Sequence, residues 1–369
     1  MGDFDRQRAD ELTARLRRDG FDAILLFPGP NMGYYTGFSI GLSERLAAAL
    51  IPVDEKPIFV VNELEGELRG MKPWFTEKAI WREEDDPVKL LADTIRDRGL
   101  ANAKIGVPEE APWGWVNRLQ SAIPGAKLVD ASDHVGYVRM IKTPQELEWI
   151  REACHIADGA LEAGFARLRT DMTEAELSDI LTSEMRRLGG GQTFPGVLFG
   201  ERAALPHGQP SDRRLRSGDA VLVDMGCTVH GYWSDITRTI FYGQPEDRHA
   251  QIYDVVLRAN RVAFEAVKPG ATCESVDRAA RRVIEEAGYG EKFIHRLGHG
   301  VGLQVHEQPY IVENNKLRLE PGMVFSDEPG IYIVGDVGVR VEDTVTCTET
   351  GCESLTRFKR DLVTYPVKE

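Results

Sequence analysis

The sequence predicts two domains: an α/β domain over residues 1–139, and an α+β domain over residues 140–369 built as an internal repeat. Three observations carry this. The 369 residues exceed what one ordinary hydrophobic core holds. Up to about residue 130, helix-like and strand-like stretches alternate, the pattern of an α/β layer structure. Beyond residue 140, two helices and a strand pair are followed by two further helices and a second strand pair.

In the first domain, residues 8–18 have the spacing of an amphipathic helix and residues 22–27 form a buried apolar run. Residues 49–53 and 57–61 continue the strand pattern, 86–98 read as helix, and 104–107 and 127–129 as strands. Residues 31–36 are a weak strand at best, and 43–49 pass as helix. Thr143-Pro144-Gln145-Glu146 then announces a new start, with an N-cap threonine, proline at the first helical position and a glutamate completing a capping box. Apolar residues from Leu147 to Leu168 follow at helical spacing.

The second helix of this domain starts at Thr173, with Glu176 as its box partner, and stops at the glycines 189–191. A strand pair covers about 220–242. Helices from about 248 to 268 and 272 to 288 repeat the order, and strands run from about 323 to 347. The strand pairs match best: Gly218 and Gly322, Asp224 and Glu328, and Gly226 and Gly330 are each 104 residues apart. Thr237 stands two after Asp235, as Thr344 does after Glu342. Two related halves facing each other across a pseudo-two-fold axis account for the set.

Four acids and a histidine interrupt or end these β-rich runs: Asp224, Asp235, His299, Glu328 and Glu342. A bare carboxylate there is costly without a partner. Asp224 and Asp235 are 11 apart and Glu328 and Glu342 are 14 apart, so each pair is expected directly opposite across one hairpin, turning near Val229–His230 and near Gly335. Like charges so placed repel unless neutralised, and two divalent cations balance four carboxylates. A dinuclear centre with its ions roughly 3.5–4 Å apart is the device that clamps both sides of a hydrolytic displacement. Oxygen-rich ligation with one imidazole suits manganese first, with cobalt, zinc or iron(II) as alternatives.

Bulk properties exclude other classes. With 42% hydrophobic and 28% charged residues the chain is ordinary globular protein, and a net charge of −14 argues against nucleic acid or anionic membrane as a partner. The charged N-terminus has no apolar segment of a signal peptide, and no apolar run reaches the length of a membrane span. Five scattered cysteines fit neither a zinc spacing nor a disulfide framework; Cys347 and Cys352 are the one pair near enough to bond, and unpaired thiols in a reducing cytoplasm are expected.

These motifs resemble the pita-bread metallopeptidases, the group of methionine aminopeptidase, aminopeptidase P and prolidase. The resemblance spans 140–369, and the preceding domain resembles the creatinase-type N-terminal domain of the branch that cleaves before proline, which methionine aminopeptidase lacks. It implies that Asp235 and Glu342 bridge two metal ions, that Asp224 completes one, and that His299 and Glu328 complete the other. It implies attack by a metal-bridging hydroxide, with Glu328 as proton shuttle. His207 in Leu-Pro-His-Gly and His306, seven after His299, resemble that branch's substrate-contacting histidines; Arg340 resembles its substrate-positioning arginine. A cytoplasmic homodimer acting on proline-containing dipeptides or short peptides is implied, prolidase first and aminopeptidase P second. Proline makes chemical sense: its amide nitrogen carries no hydrogen, so peptidases that grip that N–H are blocked. Phe194, Tyr232 and Trp233 are available to wall a proline pocket.

Rival readings rest on less. Gly37-Phe38-Ser39-Ile40-Gly41 matches a nucleophile elbow with Ser39 as nucleophile, but an elbow needs a strong strand before it. Gly298-His-Gly-Val-Gly302 lacks the Gly-Lys-Ser/Thr ending of a phosphate loop. A metal-free creatinase-like hydrolase or a binding pseudoenzyme requires lost ligands, and none of the five is lost. Asp327, beside Glu328, stands where an apolar residue is expected.

Overall fold

The computed structural model describes residues 2–368; Met1 and Glu369, the outer limits of the two expected domains, lie outside it. The chain divides into two compact units, Met1–Val138 and Arg139–Glu369.

Among the described residues the first unit carries five α-helices, α1 (Gly2–Arg18), α2 (Pro30–Thr36), α3 (Pro87–Asp97), α4 (Trp113–Ala122) and α5 (Ser132–Met140), the last two residues of α5 belonging to the second unit. Its strands are β1 (Ala23–Leu26), β2 (Ala48–Pro52), β3 (Ile58–Asn62), β4 (Lys78–Trp81), β5 (Lys104–Val107) and β6 (Lys127–Asp130), in the order β4-β3-β2-β1-β5-β6. Of the four inner strands, β1–β3 are buried along their whole length, which is why they read as unbroken apolar runs. Asp86 caps α3 by accepting from the Val88 and Lys89 amides.

Two expectations fail here. Residues 31–36 lie in helix α2, with Pro30 in the first turn, Gly37 as a left-handed C-cap, and the Thr36 hydroxyl donating back to the Met32 carbonyl at 2.6 Å. Residues 43–47 are irregular and strand β2 follows. Helix precedes the Gly-x-Ser-x-Gly turn and strand succeeds it, the reverse of a nucleophile elbow, and the exposed Ser39 has no hydrogen bond from its hydroxyl to a histidine among the described residues. The serine-hydrolase alternative falls with it.

The second unit opens on α6 (Pro144–Ala166) and α7 (Glu174–Arg187), each with both hydrogen bonds of its capping box, from Thr143 with Glu146 and from Thr173 with Glu176. β7 (Thr193–Phe199), β8 (Ala220–Val229), β9 (Tyr232–Trp233) and β10 (Ile236–Tyr242) follow, then α8 (Asp247–Ala266) and α9 (Cys273–Glu286). β11 (Gly298–Gly300), β12 (Glu307–Ile311), β13 (Val324–Asp327), β14 (Gly330–Ile333), β15 (Val337–Arg340), β16 (Asp343–Cys347), β17 (Cys352–Ser354) and β18 (Thr364–Tyr365) complete it. One sheet runs β18-β10-β8-β7, the other β12-β11-β13-β16-β17, and β14 and β15 form a separate hairpin.

The repeat is physical. The N-cap of α7 bridges to Arg214 and that of α9 to Arg318, 104 residues on. Gly218 and Gly322 turn into the first strand of each half with φ of 89° and 90°, a conformation only glycine adopts without strain. The two halves exchange partners at the seam: the Glu342 amide donates to the Thr237 carbonyl (3.0 Å), and the Asp235 amide to the Thr344 hydroxyl (3.1 Å). All five cysteines are free, although Cys347 and Cys352 pair directly across β16 and β17. Among the described residues no helix is long and apolar enough to cross a membrane.

Candidate metal centre

The first hairpin turns at His230 and Gly231, whose φ values are 49° and 85°. Val229 therefore pairs with Tyr232, and Asp224 with Thr237. In this register Asp235 comes opposite Gly226, so the two acids are diagonal neighbours rather than the direct pair that their spacing suggests. The reason lies in the turn. Two left-handed residues match the twist of the strands, which moves the turn one position beyond the midpoint. Partners and their i+2 neighbours still share a face, so Asp224 and Asp235 remain on one side of the sheet. Gly226 makes room between them: a Cβ there would lie 2.0 Å from the Ser234 carbonyl oxygen.

The second hairpin keeps the expected geometry. Gly330 pairs with Arg340 in β14–β15, and Asp327 with Asp343 in β13–β16. A single register runs through both ladders, and Glu328 and Glu342 fall opposite each other in the gap between them. Asp327 points to the other face, toward Asp343, and both its oxygens are buried without a hydrogen-bond partner among the described residues. Burial, and then the Asp343 charge, push its carboxyl well above the usual range. Strand β11 brings in His299, whose amide donates to Ser326 Oγ (3.0 Å), and that hydroxyl donates to Glu328 Oε1 (3.0 Å).

The five side chains converge. His299 Nε2 lies 3.2 Å from Glu328 Oε1 and 3.6 Å from Asp235 Oδ2. Arg340 donates to Asp224 Oδ2 at 2.5 Å and to Thr237 Oγ1 at 2.9 Å, and its Nε lies 3.9 Å from both Glu328 and Glu342. Thr237 in turn donates to Glu342 Oε2. Ligand atoms close enough to share one ion come from Asp224, Asp235 and Glu342, from His299, Glu328 and Glu342, and from Asp235, His299 and His306.

The chemistry of this donor set fits divalent cations. Asp235, His299 and Glu342 are at most 3% exposed, and Asp235 Oδ1 has no hydrogen-bond partner among the described residues. Burial raises the Asp224 carboxyl; at Asp235 burial and the Glu342 charge raise it strongly, and at Glu342 burial and the Glu328 charge do the same. Burial, the largest single influence, acts on Glu328 in the same sense, but its hydrogen bond with His299 and the neighbouring positive charges, Arg340 among them, together outweigh it and bring the carboxyl down to about 2. His299 Nδ1 lies 3.2 Å from the Gly300 carbonyl oxygen, and its Nε2 faces Asp235 and Glu328, two carboxylates that repel each other. Only a proton or a metal ion between them removes that repulsion.

A cavity of about 950 Å³ opens on this cluster, lined also by His207, His295, Arg296, His306, Phe194 and Trp233. His207 and His306 thus stand at the cavity, as does Arg340. The His306 ring packs edge-on against His299 with centroids 3.9 Å apart. Burial and the His299 charge lower His306 to about 4, so it is neutral near pH 7. Tyr232 is not a wall: its hydroxyl donates to Glu146, away from the cavity, while Phe194 and Trp233 stand 5.7 Å apart on the lining. Sequence reasoning missed His295 and Tyr332. Arg340 donates to the Tyr332 hydroxyl (3.0 Å), and Tyr332 to His295 Nε2 (2.9 Å), whose Nδ1–H meets the Arg296 carbonyl oxygen (2.7 Å). The available signal was their spacing, four before His299 and four after Glu328.

Comparison with known proteins agrees with this geometry. Residues 148–349 match the model of metallopeptidase family M24, and residues 8–141 match the creatinase/prolidase N-terminal domain. The chain is 35% identical to an Xaa-Pro dipeptidase of Lactobacillus helveticus, over 98% of this chain and 99% of that protein. It superposes on dipeptidase PepE of Mycobacterium ulcerans with a TM-score of 0.95 at 35% identity, covering 99% of both chains. It superposes on an X-Pro aminopeptidase of Thermotoga maritima with a TM-score of 0.83 at 32% identity, covering 97% of this chain and 99% of that one. The second unit has the pita-bread fold, its N-terminal partner is a creatinase/prolidase-type domain, and the chain belongs to metallopeptidase family M24.

Proposed function

We propose that this metallopeptidase is an exopeptidase that hydrolyses the bond before proline, with Xaa-Pro dipeptides as its substrates. The observation that carries the reading is the convergence of Asp224, Asp235, His299, Glu328 and Glu342 on one cavity. In this reading Asp235 and Glu342 are shared by two divalent ions, manganese first among the candidates. Asp224 completes one site, and His299 with Glu328 the other. That Glu342 belongs to two of the ligand groups, and that Asp235 reaches toward His299, supports the sharing. The ions supply Lewis acidity and an acidified water.

The chain's own groups do the rest. Glu328, fixed by Ser326 and His299, is placed to take a proton from the attacking water and return it to the proline nitrogen, which leaves only when protonated. His207 and the neutral His306 stand at the cavity to donate to the oxygen that gains charge at the scissile carbonyl. Arg340 holds Asp224 in place and is too engaged to leave it. Phe194 and Trp233 offer an apolar wall to a proline ring. The name of the Lactobacillus helveticus relative supports the dipeptide substrate. The functional partition follows 1–139 and 140–369, and a cytoplasmic homodimer is part of the reading, as in the family it resembles.

The likeness to an X-Pro aminopeptidase favours a second reading, in which longer peptides are cut. Hydrolysis of Ala-Pro and Ala-Pro-Ala separates them, using protein stripped with chelator and reloaded with Mn²⁺, Co²⁺ or Zn²⁺. Cleavage of the dipeptide alone is the expected result. Cleavage of the tripeptide gives the aminopeptidase, and no cleavage of either with any metal refutes both.

A further inference from the structure

Besides its acids the cavity holds two guanidinium groups, and they differ in what they are free to do. Arg340 is 3% exposed, and its nitrogens are engaged with Asp224, Thr237 and Tyr332. Arg296 is half-buried on the same cavity wall, and its guanidinium carbon lies 4.2 Å from the centre of the Tyr310 ring. Among the described residues its side chain takes part in no hydrogen bond or ion pair; it stacks on Tyr310, and its charge is felt at His306. Stacking occupies one face of a guanidinium and leaves the in-plane N–H donors free, the geometry that receives a planar carboxylate through two parallel hydrogen bonds.

Position and charge point the same way. Arg296 is three residues before His299 on the segment entering β11, so their Cα atoms are at most ~10 Å apart. An extended arginine side chain and one residue of substrate fill such a span. An anionic substrate entering a cavity lined by Asp224, Asp235, Glu328 and Glu342 meets repulsion that an uncommitted cation offsets. Volume does not select dipeptides, since about 950 Å³ exceeds what two residues occupy. A group that recognises the chain end does.

We propose that Arg296 is a specificity-determining residue that binds a substrate carboxylate, namely the C-terminal carboxylate of the peptide. This rests on the exopeptidase reading above. The same chemistry has one other source, an acidic side chain on the residue before the scissile bond.

The test is kcat/KM of the metal-reloaded enzyme for Ala-Pro, for Ala-Pro amide and for Asp-Pro, with wild type, Arg296→Gln and Arg296→Lys. Wild type should prefer the acid to the amide. Arg296→Gln should lose about 10- to 100-fold on Ala-Pro, mainly through KM, and leave the amide unchanged, so that the preference collapses. Arg296→Lys should restore part of it, because a point charge replaces a fork. Loss of an Asp-Pro preference, with the acid-to-amide ratio kept, assigns the carboxylate to the substrate side chain and overturns the chain-end assignment. If both ratios hold within twofold, Arg296 reads no carboxylate. Should wild type cleave none of the three, the exopeptidase reading fails, and thermal shifts with Ala-Pro and its amide still decide. Stabilisation by the acid alone that disappears in Arg296→Gln keeps the anchor, and equal shifts in both proteins remove it.

Discussion

Asp235 and Glu342 are expensive residues for the protein alone. Each is nearly fully buried, each carboxyl is driven well above its usual range, and one Asp235 oxygen finds no hydrogen-bond partner among the described residues. Asp235→Asn should therefore lower kcat/KM by at least about 100-fold, beyond what loss of a group supporting a ligand costs. In chelator-stripped protein the same change should leave the melting temperature equal or higher, because it removes a buried like charge; a melt of the stripped protein checks this. Thr237 touches Glu342 and Arg340 without being a ligand candidate. Thr237→Val keeps its shape, deletes both hydrogen bonds, and should cost roughly 10- to 100-fold in metal affinity or activity. The five ligand candidates were legible because each acid sits where an apolar strand residue belongs. His295 and Tyr332 were not, since a histidine in a loop and a tyrosine in a strand look ordinary until Arg340 is seen to join them.

At the scale of elements, the two hairpins set the centre, and their turns set the hairpins. The spacing of Glu328 and Glu342 gave the correct register because the β14–β15 turn is centred on Gly335. The spacing of Asp224 and Asp235 was misleading by one position because His230 and Gly231 form a two-residue turn beyond the midpoint. Turn type is decided by local backbone twist, which residue spacing does not encode. Gly226→Ala should collapse the first hairpin, placing a methyl group against the Ser234 carbonyl oxygen and the Phe194 ring. A loss of about 3 kcal/mol or more in chemical denaturation is expected, at the upper end of overpacking costs. Helix α2 escaped sequence reading because its seven residues are too few for a period to show; only Pro30 and Gly37 marked its ends.

Across the second unit, the pseudo-two-fold repeat makes each half complete the other, since Thr237 serves Glu342 and Thr344 serves Asp235. The repeat was legible in the 104-residue spacing, whereas β11, β12 and β17 were not, because runs of three to five residues are too short for an alternation to show. Another long-range tie is Glu307, buried and paired with Arg139 and Lys142. Burial opposes its ionisation, yet Arg139 and Lys142 hold its carboxyl below the ordinary value. A depressed folded-state pKa stabilises above the unfolded value near 4.5 and is lost as pH falls through the folded one. The gap in melting temperature between wild type and Glu307→Gln should accordingly be full at pH 7 and narrow below about pH 4.5. The central claim is that five side chains from both halves hold two ions, with Glu342 common to both. Equilibrium dialysis of the stripped protein against Mn²⁺ tests it most directly. Two ions per chain in wild type, and at most one at the same free Mn²⁺ in Glu342→Gln, is the predicted result. Fewer than two in wild type, or two in the variant with unchanged affinity, would contradict it.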